Sequence, residues 1–449
     1  MNDSWMSKKE SPLLGLQGMG GGVGGFNFLG AAGEGGGLWG WGISSRWFLF
    51  QVPAPQTPPS NRPRRSSPVS IMGTKTDWIN VKLGSQTDTY MAIDSENDLY
   101  VWGSNSYGAL GQGQHVSYPY TTSGATKALS DSCKLPGTWR QIESNNGVLF
   151  AVKDTDDGLF VWGNPRHGCL GMNDSGGRSS PTRIPGTWAA AWVGGSDQHV
   201  SAAGVKTDGT LWTWGKDPQG KLGIPNGGPY PHEPETAKRY SSPIQVGTDT
   251  DWGKDRKYLS IGDEWMFAIK NNGTLWSWGA NEDGVLGLND NTRRSSPTQV
   301  GTNTNWEYVL TAGYGDERTY AMKTDNSLWA WGTPGAYGLL GSNKGQTDGT
   351  PGTYGTVSSP IQIPGSWKME GCTNAGQRSM NWVKEDGGLY TWGSNYQGQL
   401  AQNDQGPNNP ENPGPWTMRS SPIQVGTKTD WLGASAGPEG MQAAWGVKP

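Results

Sequence analysis

Residues 270–287 read KNNGTLWSWGANEDGVLG, and the five residues LWSWG that begin at Leu275 decide the fold. The same pattern, in which Leu is followed by two variable residues, Trp and Gly, begins at seven places: Leu38, Leu99, Leu159, Leu211, Leu275, Leu328 and Leu389. The starts lie between 52 residues (Leu159 to Leu211) and 64 residues (Leu211 to Leu275) apart. A repeat of this length, rich in strand formers and turns, is typical of one blade of a β-propeller.

Each copy of the signature belongs to a longer unit of short strands and tight turns. In residues 266–306, a strand and a turn precede the returning strand 275–279. Asn-Gly and Asp-Gly pairs stand in these turns, which favours type I′ hairpins. Since side chains alternate along a strand, Trp276 and Trp278 share one face, and we expect them to pack against the next blade.

Two further modules follow most of the returning strands. The first reads Asn-x-x-Gly-x-Leu-Gly, as in residues 281–287, and the second begins with Ser-Ser-Pro and ends at a Trp, as in residues 295–306. Copies of Ser-Ser-Pro begin at Ser66, Ser179, Ser241, Ser295, Ser358 and Ser420. The remaining unit lacks Ser-Ser-Pro but keeps its Trp, Trp139. Seven signatures and seven Trp-terminated modules together predict seven blades.

The two ends of the chain together supply one unit. The chain enters the first unit at the returning strand 38–42, and residues 441–448 resemble residues 200–206, a strand that precedes such a returning strand. We therefore expect the N- and C-terminal strands to pair and close the ring, which removes two exposed sheet edges. The sequence predicts an all-β chain with a Gly-rich N-terminal arm, residues 1–37, and a closed seven-bladed β-propeller, residues 38–449.

Residues 389–400, LYTWGSNYQGQL, resemble the repeats of the regulator of chromosome condensation family, whose units carry the core L-x-x-W-G-x-N-x-x-G-Q-L-G. The resemblance covers residues 38–449 and implies the seven-bladed propeller of that family. The first unit departs from it, because residues 43–50, ISSRWFLF, replace the Asn-x-x-Gly-x-Leu-Gly module. Eukaryotic members act as nucleotide exchange factors for a small nuclear GTPase and dock on chromatin. The near-identical units of this chain look like bacterial and bacteriophage variants of the family.

Composition and residue spacing exclude several classes of function. The formal net charge is −4, so no excess of Lys and Arg indicates a nucleic-acid partner. Three cysteines, Cys133, Cys169 and Cys372, are too few and too scattered for a disulfide framework or a metal cluster. No apolar run reaches the roughly 18 residues of a membrane span. The four His show neither metal spacing nor a nearby nucleophile signature, so we expect no enzyme, no metal and no cofactor.

The insertions of the repeat fall between the Gly-x-Leu-Gly module and Ser-Ser-Pro, so they should crowd one face of the propeller. These loops carry five aromatic residues among Gly, Pro and Asn: Tyr118, Tyr120, Tyr230, Tyr354 and Trp416. Exposed rings in polar loops suit contacts with a sugar or a protein, so these five are candidate binding residues for a cell-surface glycan or protein. The alternative is that the rings only pin their own loops to the propeller rim.

Arginine recurs just before Ser-Ser-Pro. It stands at Arg65, Arg178, Arg294 and Arg419, with Arg239 placed one residue earlier than the others. We expect a structural role, in which the guanidinium group bonds carbonyls or stacks on a neighbouring Trp. A ring of arginines that binds phosphate or glycan is the alternative.

Residues 1–37 mix Gly with isolated large apolar side chains. No continuous apolar segment follows Lys8 and Lys9, so we expect no secretory signal. A plain flexible linker would favour Ser over Phe and Leu, so the arm is expected to order only inside a groove of another protein. Its candidate anchor residues are Leu13, Leu14, Leu16, Phe26, Phe28 and Leu29. A frayed tail is the alternative.

These features favour a non-enzymatic structural or binding protein. A propeller with an apolar arm and elaborate loops on one face suits a bacteriophage virion surface component, either a capsid decoration or a tail protein for host attachment. Its arm would bind other virion or assembly proteins after synthesis in the host cytoplasm. The alternatives are a cytoplasmic bacterial protein-interaction scaffold and a regulator similar to a guanine-nucleotide exchange factor. The exchange role needs a basic tail and an acidic, loop-built face for the GTPase, whereas residues 1–37 carry few charges.

Overall fold

The computed structural model describes residues 39–43, 64–70, 78–83, 89–103, 105, 107–113, 134–225, 238–311, 317–334, 338–342, 355–369, 372, 379–393, 400, 419–427, 429, 431–436 and 442–446. This part of the chain consists mainly of β-strands that pair antiparallel. Its helical elements are three single turns of 3-10 helix, at Arg166–Gly168, Pro218–Gly220 and Arg256–Tyr258. The predicted all-β class is confirmed.

The strands are short and follow one another closely along the chain. In order they are β1 (Trp39–Ile43), β2 (Arg64–Ser70), β3 (Trp78–Leu83), β4 (Thr89–Asp94), β5 (Asp98–Gly103), β6 (Lys134–Asn145), β7 (Val148–Lys153), β8 (Leu159–Gly163), β9 (Arg178–Ile184), β10 (Trp188–Gly194), β11 (Ser201–Lys206), β12 (Leu211–Lys216), β13 (Arg239–Gln245), β14 (Leu259–Ile261), β15 (Trp265–Ile269), β16 (Leu275–Gly279), β17 (Arg294–Gln299), β18 (Trp306–Thr311), β19 (Arg318–Lys323), β20 (Leu328–Gly332), β21 (Val357–Ile363), β22 (Ser379–Val383), β23 (Leu389–Gly393), β24 (Arg419–Gln424), β25 (Trp431–Ala436) and β26 (Gln442–Gly446).

Consecutive strands pair in chain order as antiparallel meanders. β10–β13, β14–β17 and β18–β21 each form a four-stranded sheet. β22–β24 form a three-stranded sheet, which Trp367 extends by a single bridge to Lys384. β3–β9 form one continuous sheet, in which the start of β6 pairs with β5 and the rest of β6 pairs with β7.

Each four-stranded sheet corresponds to one predicted unit of the repeat. Its first strand begins at or near the Trp that ends the preceding module, its third strand is the signature, and its fourth strand contains Ser-Ser-Pro. We number the units along the chain: unit 1 is β3–β5 with the start of β6, unit 2 is the rest of β6 with β7–β9, unit 3 is β10–β13, unit 4 is β14–β17, unit 5 is β18–β21, and unit 6 is Trp367 with β22–β24. First strands pack against neighbouring units, as β10 does against β6, β7 and β14.

The signature strand has the same burial pattern in units 2 to 6. Leu, the third residue, Trp and Gly are buried, and the second residue is half-buried. The third residue of the signature forms a further hydrogen bond where its side chain carries a hydroxyl group. Thr213 Oγ1 donates to the Leu222 carbonyl at 2.7 Å, and Ser277 Oγ donates to the equivalent carbonyl of unit 4 at 2.8 Å. The Trp of each signature is fully buried, namely Trp162, Trp214, Trp278, Trp331 and Trp392. These five residues therefore belong to the core.

The Gly-x-Leu-Gly module of one unit lies against the next unit. A Cβ atom at Gly168, in unit 2, would lie 2.9 Å from the Cα of Ser241, in unit 3, and Gly168 has a φ of 77°, so only glycine fits without strain. The indole nitrogen of Trp214 donates to the Cys169 carbonyl at 2.8 Å across the same junction. The equivalent bonds at other junctions run from Trp162 to Ala109, from Trp331 to Val285 and from Trp392 to Leu339. The predicted packing against a neighbouring unit is confirmed for the fourth residue of the signature, the position of Trp278, and not for the second residue, the position of Trp276.

The half-buried second residue of the signature has its ring partners within its own unit. Lys206, at the end of β11, places its Nζ 3.6 Å from the centre of the Trp212 ring and 5.4 Å from that of Trp188. Equivalent lysines lie between two rings in the other units: Lys153, Lys270, Lys323 and Lys384. These cation–π contacts join the second, third and first strands of one unit.

The turns before the signature differ from the prediction. In the turns that precede β12 and β16, Gly209 and Gly273 have positive φ values of 86° and 76°, and the residues before them do not. A type I′ turn needs a positive φ at both central residues, so the predicted turn type is wrong here. Asn146 and Gly147, with φ values of 50° and 77°, meet that requirement between β6 and β7.

The two ends of the described chain form separate pairs of strands. β1 pairs with β2, and β25 pairs with β26 and packs against β22 of unit 6. Among the described strands, β1 and β26 are not paired with each other. Closure of the ring and the number of seven blades therefore stay predictions. The proposed boundary after residue 37 also stays a prediction, because residues 1–38 lie outside the described part.

Candidate functional site

One end of each sheet carries the connections from the first to the second strand and from the third to the fourth strand. We call this end of the units the loop face; its described residues include 145–148, 164–177, 194–200, 217–225, 262–264 and 280–293. Neighbouring units touch there, since the Asn145 side chain donates to the Gly195 carbonyl at 3.1 Å and the Ser196 N–H donates to Asp263 Oδ1 at 3.0 Å. The insertions of the repeat fall in third-to-fourth connections, and most of their residues lie outside the described part of the chain.

The residues that the sequence singled out for binding lie outside the described part of the chain. The five loop aromatics, Tyr118, Tyr120, Tyr230, Tyr354 and Trp416, lie outside the described residues. The six anchor residues, Leu13, Leu14, Leu16, Phe26, Phe28 and Leu29, lie outside them as well. Both sets stay predictions.

Two of the recurring arginines close their own loops. The Arg178 guanidinium donates to two carbonyls of the connection before β9 and pairs with Asp174. Arg294 likewise donates to two carbonyls before β17 and pairs with Asp290. The predicted structural role of the arginine is confirmed at these two positions.

Acidic side chains gather on the loop face where units 3, 4 and 5 meet. His199 Nδ1 lies 3.1 Å from Asp263 Oδ1 and 3.3 Å from Glu264 Oε1. The fully buried Lys221 donates its ammonium group to the His199 carbonyl at 2.8 Å. Three more carboxylates lie on the adjoining connections of units 4 and 5: Glu282, Asp283 and Glu317. We call these residues the acidic cluster.

Burial and crowding shift the protonation equilibria of the acidic cluster. Loss of hydration raises the pKa of Glu317 to about 7, and the neighbouring negative charges act in the same direction. Burial also raises the pKa of Glu264. Burial lowers the pKa of Lys221 to about 8, although the neighbouring carboxylates oppose that shift. The cluster holds more carboxylates than cations in a poorly hydrated place, so a cation from a partner would stabilise their ionised form.

Basic side chains gather beside it, at the junction of units 2 and 3. Lys216 and Arg239 are direct partners across β12 and β13. The 3-10 turn that holds Arg166 and His167 packs against the same two strands, and Arg166 pairs with Asp197. We call Arg166, His167, Lys216 and Arg239 the basic cluster. The loop face therefore carries an acidic and a basic region side by side.

A third charged group lies between the first strands. Glu143 accepts a hydrogen bond from Lys82 Nζ at 2.8 Å and another from Arg256 Nε at 2.8 Å. Burial, together with the charge of Arg256, lowers the pKa of Lys82 to about 8. These residues come from units 1, 2 and 4 and are bonded to one another, so we assign them the structural task of joining those units.

The described residues show no built metal site and no activated thiol at Cys169. Among them, no group of three or more His, Cys, Asp or Glu side chains has the geometry to hold a metal ion. No helix in the described ranges is long and apolar enough to cross a membrane. Burial raises the pKa of the Cys169 thiol to about 12, which excludes this residue as a thiolate nucleophile.

The sequence analysis missed both charged clusters. Most of their residues occupy connections that differ from unit to unit, and Lys216 and Arg239 lie where β12 ends and β13 begins, so the repeat does not mark them. One signal was present: Arg239 stands one position earlier than the other arginines that precede Ser-Ser-Pro. That displacement places Arg239 opposite Lys216.

Known proteins share these repeats over much of the chain. Residues 272–322 match the family model of the Regulator of chromosome condensation (RCC1) repeat. RCC1 domain-containing protein RUG3, mitochondrial, from Arabidopsis thaliana is 24% identical over 354 residues, which are 76% of this chain and 69% of that protein. The E3 ubiquitin-protein ligase HERC2 of Homo sapiens is 24% identical over 372 residues, 83% of this chain but 7% of HERC2. The Ultraviolet-B receptor UVR8 of Arabidopsis thaliana is 28% identical over 251 residues, 55% of this chain and 52% of UVR8.

Solved structures show the same fold. Prp20p from Saccharomyces cerevisiae superposes with a TM-score of 0.65 at 18% identity, covering 94% of this chain and 93% of Prp20p. Human WBSCR16 superposes with a TM-score of 0.59 at 18% identity, covering 89% of this chain and 96% of WBSCR16. At such identities the likeness concerns the fold alone. The signature, the order of the sheets and these similarities agree that the chain carries repeats of the regulator of chromosome condensation (RCC1) family in a β-propeller fold.

Proposed function

We propose that the chain is a protein-binding platform whose loop face holds a partner protein. The observation that carries this proposal is the division of the loop face into an acidic and a basic cluster. Residues of both clusters stand on strands or on connections between paired strands, as Lys216 does at the end of β12 and His199 does between β10 and β11. Charged groups held in this way lose little conformational entropy on binding, and opposite charges on a partner fix its orientation.

The acidic cluster sets the chemistry of the partner. Its carboxylates are partly withdrawn from water and repel one another, as the raised pKa of Glu317 reflects. A Lys or Arg side chain of the partner would relieve this repulsion. Proteins similar in fold are described as protein binders: Prp20p with Gsp1p and histones, and yeast RCC1 (Prp20) with Kap60. These descriptions support a binding role without identifying the partner of this chain.

We also propose that the platform is a closed ring of seven units. β25 and β26 supply the first two strand types of a unit, and β1 and β2 supply the signature strand and the Ser-Ser-Pro strand. Together the two pairs would complete one four-stranded sheet, beside units 1 and 6. A ring of this kind leaves no face of an end unit exposed.

The narrower functions predicted from the sequence stay predictions. The virion role, the virion location and attachment by the arm depend on residues 1–37, and the glycan contact depends on the loop aromatics. The relatives described above come from plants, human and yeast, so that similarity gives the virion role no support. The exchange-factor role and the lack of an enzymatic activity stay predictions as well.

Charge reversal on the loop face tests the platform. Partners bound to the wild-type chain in its source cells are identified by crosslinking, and the Kd of each purified partner is then measured. Glu282→Lys, on the loop face, should weaken binding by about tenfold, because it reverses a charge in the acidic cluster. The matched control is Asp154→Lys, a reversal at another exposed residue, in the turn between β7 and β8 at the opposite end of the sheet. Equal affinities for the two variants would contradict the assignment of this face.

A further inference from the structure

Arg239 does not follow the pattern of the structural arginines. The signature Gly pairs with Arg178 in unit 2 and with Arg294 in unit 4. In unit 3 it pairs with Tyr240, so Arg239 is displaced by one residue. Arg239 is exposed, and its guanidinium forms no hydrogen bond or ion pair within the described part of the chain. Arg239 therefore does not close its own loop as Arg178 and Arg294 do.

Arg239 instead lies opposite a second cation. Lys216 is its direct partner across the two strands, an arrangement that is destabilising for like charges. Lys216 is half-buried, and burial followed by the charge of Arg239 lowers its pKa. Its ammonium group has no ion pair among the described residues. Asp263 and Glu264 raise the pKa of Lys216 from a distance, but both lie close to His199.

His167 completes the cluster with a buried ring nitrogen. Its Nε2 lies 3.3 Å from the Asp197 carbonyl. Because a carbonyl only accepts hydrogen bonds, Nε2 is the protonated nitrogen in that contact. The Nδ1 atom is buried and has no partner in the described part of the chain. Burial, and then Arg239, Lys216, Arg166 and His199, lower the pKa of His167 to about 4, so the ring is neutral at pH 7.

Two adjacent cations and an imidazole beside them suit an anion. We propose that Lys216, Arg239 and His167 bind one phosphate group at the junction of units 2 and 3. A phosphate dianion would relieve the repulsion between the two cations and accept charge-assisted hydrogen bonds from both. It would also favour the protonated ring, whose Nδ1–H could then donate to a third oxygen. Arg166 is already paired with Asp197 and serves to position the turn.

The phosphate group is either part of a phosphorylated side chain or a free small anion. The site lies on the loop face. The phosphate proposal rests on the proposed function in one respect only, namely that a partner protein would carry the phosphate group. Binding of a small phosphate compound to the isolated chain does not depend on that partner. An experiment can therefore contradict the phosphate site without contradicting the protein-binding platform, and the reverse also holds.

Calorimetric titration of the full chain tests the site. The probes are a short phosphoserine peptide, the same peptide without phosphate, and inorganic phosphate, all at one ionic strength. Lys216→Gln and Arg239→Gln should each weaken binding of the phosphate compounds by about tenfold, as expected for loss of a hydrogen bond from a charged donor. Arg183→Gln is the matched control, because Arg183 is an exposed arginine near the other end of β9. Tighter binding of the phosphopeptide identifies a phosphorylated side chain as the ligand, and tighter binding of inorganic phosphate identifies a free anion.

The pH dependence of sulfate binding tests the role of His167. Sulfate stays a dianion between about pH 5 and pH 8, so any change in affinity reports the protein. A bound dianion raises the pKa of His167, so sulfate should bind more tightly as the pH falls across this range. His167→Asn should remove most of this dependence, and Asn tolerates the φ of 56° at this position.

Three results would overturn the proposal. The first is that neither phosphate compound binds, or that Arg239→Gln binds them as the wild type does. The second is a pH dependence that His167→Asn leaves intact. The third is a lower melting temperature for both Lys216→Gln and Arg239→Gln without ligand, because removal of a repelling cation should leave the melting temperature unchanged or raise it.

Discussion

Replacement of Gly284 by alanine should strain the junction between units 4 and 5. Gly284 has a φ of 68°, and a Cβ atom there would lie 2.7 Å from the Cβ of Ser358 and 2.8 Å from its Cα. Carbon atoms that are not bonded pack at about 3.5–4.0 Å, so β21 would have to move away from unit 4. Gly301 is a matched control, since its φ is 59° and a Cβ atom there would meet nothing within 4 Å.

Both substitutions place a Cβ atom on a left-handed backbone, and only Gly284→Ala also overpacks a junction between units. A left-handed backbone costs a residue with a Cβ atom roughly 1–2 kcal/mol, and this cost applies at both positions. Overpacking at Gly284 adds about 1–3 kcal/mol. Gly284→Ala should therefore lower the free energy of unfolding by about 2–5 kcal/mol, and Gly301→Ala by about 1–2 kcal/mol.

Urea unfolding followed by tryptophan fluorescence measures both losses. Ser358→Gly removes the side chain that the new methyl group would meet, so in the Gly284→Ala background it should cost less than it does alone. The reasoning would be refuted if Gly284→Ala and Gly301→Ala destabilised the protein equally.

Three other predictions concern the core, the acidic cluster and the ring. Trp278→Ala should lower the free energy of unfolding in urea by about 3–5 kcal/mol, because it truncates a fully buried ring. Trp416→Ala, in an insertion, should lower it by less than about 1 kcal/mol. Similar losses would show that residue 416 is wrongly assigned to the surface. The raised pKa of Glu317, about 7 against an ordinary 4.5, means that wild-type stability falls as the pH rises between these values. Glu317→Gln should therefore melt higher than the wild type near pH 8, with a difference that shrinks toward pH 4.5; parallel melting profiles would contradict this. Deletion of residues 441–449 should open the ring and cause aggregation or a large loss of stability, and a truncated chain that melts like the full one would exclude closure by these residues.

Most of the blade could be read from the sequence because its determinants are local. The alternation in LWSWG placed Trp278 on a buried face, and the structure confirms its burial. Local reading also gave Arg178 its structural role, since the carbonyls and the carboxylate that it binds lie within four residues of it. The prediction of type I′ turns was wrong for a local reason as well. Glycine occurs in many types of turn, and the sequence does not show the φ of the residue before it.

The sequence by itself determined the repeat, the strand order within a unit and the core tryptophans, because spacing and alternation act within one unit. Only the tertiary structure decided which charges meet on the loop face. His199 and Asp263 are 64 residues apart, and Glu143 and Arg256 are 113 residues apart. Such pairs depend on how one unit packs against the next, and that packing includes close contacts such as Gly168 on Ser241. Because the repeat makes all units alike, the residues that distinguish one junction from another become apparent only when the units are assembled.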